Sequence, residues 1–160
     1  MQIYSVYILN KSGGLIYQRD YKIAPSPLSK LNTNDYLVLA GTLHSVHAIS
    51  SKLTPDGVNK SPNDSSNSKG LRKIETSMFS IYVHQTTTGT KFIFIVSPNE
   101  NPSNASASAN DEKASQFVFQ KAYELYCDYV MKNPFYQLEM PIRCKLFEDK
   151  LTSLVIKSSI

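Results

Sequence analysis

The chain has 160 residues, 41% apolar and 19% charged, with a formal net charge of +4. That length suits one domain with a real hydrophobic core. Its Lys and Arg residues are spread out rather than clustered, which argues against nucleic acid as a partner, and no apolar run approaches the roughly 18 residues of a membrane-spanning helix.

The first predicted element is Gln2–Leu9. Its two alternating sets, Ile3, Ser5, Tyr7, Leu9 and Tyr4, Val6, Ile8, are both largely apolar. A strand apolar on both sides is covered on both sides, so it belongs in the middle of a sheet. Asn10–Gly14 carries turn chemistry, with Gly13-Gly14 able to take positive φ. The chain returns as a second strand over Leu15–Tyr21, whose Gln18, Arg19 and Asp20 mark an edge. The Gly-Gly pair is not followed by Gly-Lys-Ser/Thr, so it is no phosphate loop.

Lys22–Asn34 is a linker broken by Pro25 and Pro27, and Asn32 or Asn34 caps a helix running to about Lys52. Leu39, Leu43, Val46, Ile49 and Leu53 recur at spacings of three and four and predict its buried stripe. Leu37, Ala40, Gly41, His44, Ser45, Ala48 and Lys52 fall on a second face of mostly small residues, a candidate docking surface. His44 and His47 share a side, but no third ligand sits at metal-binding spacing.

Pro55–Gly70 is rich in Ser, Asn, Asp and Lys and reads as a mobile loop. Strands follow at Leu71–Glu75, Met78–Gln85 and Lys91–Val96, the last apolar on both sides and therefore central. Ser97–Asn110 reads as a second mobile loop. Asp111 and Glu112 favour a helix start, and that helix runs to about Lys132. Val118, Ala122, Leu125, Tyr129 and Phe119, Tyr123, Tyr126, Val130 form adjoining apolar stripes, wide enough to imply two contacts. A third helix is expected from about Pro141 to Lys157, with Leu146, Phe147, Leu151, Leu154 and Val155 inward.

Strands joined by short turns argue an antiparallel sheet in an α+β domain over residues 1–160. With the first and fifth strands central, the order 2-1-5-4-3 follows. The first helix then covers one face and the last two the other.

The connection Asn133–Glu148 is unusually apolar. Asn133, with its tolerance for the left-handed region, and Pro134 end one helix, and Phe135, Tyr136, Leu138, Met140 and Ile142 precede the next. Such a segment packs on its own core or presents a partner-binding surface. Ten tyrosines also suit a protein partly covered by others.

The residues offer little catalytic chemistry. Cys127 is beside Asp128, which disfavours a thiolate; Cys144 follows Arg143, a better setting, but has no nearby His. Glu139, Glu148 and Asp149 read as capping and surface charge rather than a carboxylate pair. No nucleophile–base arrangement, metal cluster or cofactor cradle emerges. With no signal-peptide pattern, both cysteines are expected as free thiols in a reducing compartment.

Asn133–Glu148, the turn Asn10-Lys-Ser-Gly-Gly-Leu-Ile-Tyr-Gln18 and the stretch from Tyr82 through Gln85-Thr-Thr-Thr-Gly89 to Phe92 carry a resemblance. In that order they resemble the synbindin-type subunits of the TRAPP tethering complex. The gap Lys22–Asn34 leaves no room for the PDZ-like insertion of animal members, so the likeness is to the fungal-like form. The resemblance implies a longin-like fold and a non-catalytic subunit of a guanine-nucleotide exchange factor for a Rab GTPase. It implies other TRAPP subunits as partners, one of them a second longin-like chain. It also implies peripheral membrane association through the complex, at cis-Golgi and ER membranes, and no cofactor. For the GTPase or neighbouring subunit, the expected contacts are Leu37, Gly41, His44, Ser45, Ala48 and Lys52. For subunit packing they are Phe135, Tyr136, Leu138, Glu139, Met140 and Arg143. The alternative is a longin-type regulatory or small adaptor subunit without exchange activity. A thiol enzyme on Cys144 is the more distant reading.

Overall fold

A computed structural model describes residues 2–21, 31–53, 70–98 and 105–158. Five strands form one antiparallel sheet: β1 (Ile3–Leu9), β2 (Leu15–Asp20), β3 (Lys73–Glu75), β4 (Ser80–Gln85) and β5 (Lys91–Val96). Their order is β2-β1-β5-β4-β3, as expected from the two doubly apolar strands. Leu9 pairs with Lys91, so the β1–β2 and β4–β5 turns lie side by side at one end of the sheet.

One face of the sheet carries Tyr7, Leu9, Ile81, Val83, Ile93 and Ile95 against α1 (Thr33–Leu53). The other carries Val6, Ile8, Tyr82, Phe92, Phe94 and Val96 against α2 (Ala105–Tyr126) and α3 (Lys145–Ser158). α2 continues as a single π-helical turn, Cys127–Met131. Every residue of β5 is buried. Full burial of side chains such as Phe92, Phe94 and Phe147 stabilises by roughly 2–3 kcal/mol each.

The start of α1 is capped by backbone and side chain together. The Asn32 N–H donates to Asp35 Oδ2 at 2.9 Å, and the Tyr36 N–H to the Asn32 carbonyl at 3.3 Å. The hydroxyls of Tyr36 and Tyr7 both donate to the Asp20 carboxylate, one oxygen each. That hydrogen bond, and then burial, push the Tyr36 hydroxyl up to about 12.

The face that α1 buries is not the expected one. Tyr36, Ala40, Leu43 and His47 point inward, whereas Val46, Ile49 and Leu53 are exposed. The helix is rotated by about a quarter turn from the all-aliphatic stripe. The cause is polar anchoring of two amphipathic side chains. Tyr36 reaches Asp20, and the His47 ring contacts the Gln85 side chain and the Leu71 carbonyl. Ala40 is correspondingly inside.

Four further expectations change. Asn133 does not take the left-handed conformation; its side-chain oxygen accepts the Phe135 N–H at 3.1 Å, and Glu139 has the positive φ, +70°. Pro141 does not open α3, which begins at Lys145 once the Cys144 carbonyl accepts the Glu148 N–H at 3.1 Å. Leu146 is outward and exposed, while Phe147, Leu151 and Val155 form the inner face. Residues 105–110, expected in a loop, are the first turns of α2. The Lys22–Asn34 linker is described only from residue 31, and the expected loop Pro55–Gly70 lies outside the described residues except for Gly70.

Candidate interaction surface

Large apolar side chains reach solvent at several places, and two of these surfaces hold the expected contact residues. The first is the outer side of α1. Leu37, Gly41, Ser45, Ala48 and Lys52 are exposed there and His44 is half-buried. The expected docking residues therefore share one side of the helix. Val38 at 60%, Ile49 at 59% and Leu53 at 75% exposure extend that side. Sequence periodicity placed Ile49 and Leu53 in the core, and Val38 in neither face. The missed signal was Tyr36 and His47, whose heptad-like spacing to Ala40 and Leu43 marks the true inner stripe.

The second surface is the strap Asn133–Cys144 between α2 and α3. Phe135, Leu138 and Met140 are exposed at 92%, 70% and 54%. Tyr136 is half-buried and donates to the Met140 carbonyl at 2.9 Å, closing the strap into a loop. Glu139 and Arg143 are exposed. The strap hangs on the sheet by the Ile142 N–H, which donates to the Ile16 carbonyl of β2 at 2.8 Å. Beneath it is an open cavity of about 400 Å³ lined by Val130, Tyr136, Met140, Ile142, Arg143 and Cys144 among others. An Arg19–Glu148 ion pair fastens β2 to α3 beside it.

The two surfaces are separate elements on opposite faces of the sheet, so the structure does not bring the two expected residue sets together. Neither set assembles a reaction centre. Cys144 lines an apolar wall, and Cys127 is half-buried in the π-helical turn. Among the described residues, no three His, Cys, Asp or Glu side chains group as metal ligands. His47 is occupied by Gln85 and Leu71. His84 stacks on Phe119 with ring centroids 4.8 Å apart. Burial, then the charge of Arg72, holds its pKa down at about 4.

These elements (two hairpins with adjoining turns, α1 on one face, a long α2–strap–α3 unit on the other) run through residues 3–158, and that whole span matches the Sybindin-like family. The chain belongs to the Sybindin-like family. It is 43% identical over 155 residues to a trafficking protein particle complex subunit 4 from Dictyostelium discoideum, covering 97% of each chain. The human protein of that name is 36% identical over 122 residues, covering 76% of this chain and 46% of its own. A trafficking protein particle complex subunit 1 from Dictyostelium discoideum is 27% identical over 150 residues, covering 93% and 91%. Among solved structures, a Roadblock/LC7 domain from Streptomyces avermitilis aligns with a TM-score of 0.44 and 12% identity over 78% of this chain and 88% of its own. In this Sybindin-like chain the adjoining turns Asn10–Gly14 and Thr86–Thr90 and the strap are the segments whose residues signalled the family, and all three are ordered by local hydrogen bonds. Asn10 Oδ1 accepts the Gly14 N–H at 2.6 Å, the Thr86 N–H donates to Thr90 at 2.8 Å, and Tyr136 closes the strap.

Proposed function

We propose that this chain is a subunit of a TRAPP-type trafficking particle and supplies binding surface to it, with no catalytic group of its own. The observation that carries this is the outer side of α1. A folded domain leaves Leu37, Val38, Ile49 and Leu53 in water along one helix, a patch of the kind that marks a protein interface. Similarity to two different subunits of one kind of particle, subunit 4 across 97% of this chain and subunit 1 across 93%, supports a neighbour of the same fold. We place that neighbour on α1 and other subunits on the strap.

The assembled surface then contacts a Rab GTPase. It binds the nucleotide-free form more tightly than the nucleotide-bound form, which speeds nucleotide release without any covalent step. The particle acts in ER-to-Golgi transport and sits peripherally on those membranes through its other subunits. Among the described residues no helix is long and apolar enough to cross a membrane.

The test is capture of the tagged chain from its own cytosol, followed by GDP-release assays on purified Rab GTPases. The expected result is a stoichiometric particle that accelerates release, while the isolated chain does not. A particle without exchange activity would favour the adaptor reading, and a chain recovered alone would overturn subunit membership.

A further inference from the structure

Lys91 opens β5 on the face that carries Ile93 and Ile95 toward α1, and it is only 5% exposed. An ammonium has three donors to satisfy. Here it meets His44 Nδ1 at 3.3 Å and the Gly89 carbonyl at 3.5 Å, both long. Among the described residues, the ion pairs are Arg19–Glu148, Lys73–Glu75, Lys121–Glu124 and Lys132–Asp128, so no carboxylate serves Lys91. Buried lysines are almost always paired. Burial alone pushes this one below the ordinary lysine range.

Both acceptors are neutral groups. Because Lys91 donates to Nδ1, His44 carries its own proton on Nε2. Burial, then Lys91 and His47, lower the His44 pKa and keep it neutral. The Lys11 stem packs over Gly89, and the His44 ring lies against Gly13. On α1, His44 belongs to the exposed row Leu37, Gly41 and Ala48, and at Gly41 an added Cβ would meet nothing within 4 Å. A partner's backbone therefore has room to approach this spot closely.

We infer that Lys91 and His44, between the two adjoining turns and α1, form a binding site for a carboxylate side chain of the protein that covers α1. The inference rests on the reading of α1 as a subunit interface. The partner would supply the missing counter-charge and exclude water from it, which strengthens the pair. The flat apolar row beside the site suits a folded protein surface carrying an Asp or Glu.

The experiment uses the full chain and the subunit-1-type chain of its own particle. Lys91→Met keeps the stem and removes the charge; Lys91→Gln is the second variant. In the free chain each should hold or raise Tm, because an uncompensated buried charge is gone. In the pair each should weaken binding at least about tenfold and flatten its salt dependence. Unchanged affinity, or a free chain that loses Tm with both variants, would overturn the inference. Ile49→Asp and Val38→Asp separate the two readings. If they abolish pairing while the Lys91 variants do not, the interface stands and the carboxylate site falls. If neither class of variant affects pairing, both fall.

Discussion

Single side chains hold this fold at points where apolar contact alone would leave it free to slide. Asp20 gathers Tyr7 from β1 and Tyr36 from α1, so the helix is located by a charged acceptor. Gly13 has φ +92°, and a Cβ there would come within 2.7 Å of the His44 ring. Gly13→Ala combines a disfavoured backbone with that clash and is expected to cost about 1–3 kcal/mol in urea unfolding. His84 makes stability depend on pH. Its folded pKa of about 4 lies below the unfolded value, so the folded state resists its protonation. The contribution is complete above about pH 6.5 and is lost as pH falls toward 4, a loss of order 2–3 kcal/mol. Unfolding curves between pH 7 and 4.5 should show that slope, and His84→Phe should flatten it.

Among the elements, strands were far more legible than helices. The doubly apolar sets of β1 and β5 placed both strands at the centre, and the sheet order followed from them. Helix faces were read from aliphatic periodicity, which works where the core contact is purely apolar, as for Phe147, Leu151 and Val155 on α3. It failed on α1, where Tyr36 and His47 are buried through polar partners that lie far away in sequence. Lys91 was invisible for the same reason: only the folded chain shows that a lysine at the start of a strand has no carboxylate among the described residues. Phe147→Ala should cost about 3–5 kcal/mol, since the side chain is fully enclosed. Ile49→Asp or Phe135→Ser should leave the melting temperature of the isolated chain within about 2 °C of wild type, because surface changes of this kind are small. The same substitutions should reduce recovery of partner subunits in affinity capture.

At the scale of the whole molecule, two helical layers complete the core on both faces of the sheet, yet they leave α1 and the strap uncovered. Stability should therefore rise on assembly by mass action, by about 2.7 kcal/mol when the partner is present at 100 times its Kd. Thermal scans of the free chain and of the pair at increasing concentration would show it; coincident curves would mean that neither surface is used. The strap has one more effect. The Ile142–Ile16 hydrogen bond occupies the outer rim of β2, whereas the opposite rim, β3, is three residues long. Polymerisation by strand addition needs two accepting rims on every unit, one to receive and one to offer. Here one rim is engaged at Ile16 and the other is barely a strand, so both edges are poor templates for adding a further strand.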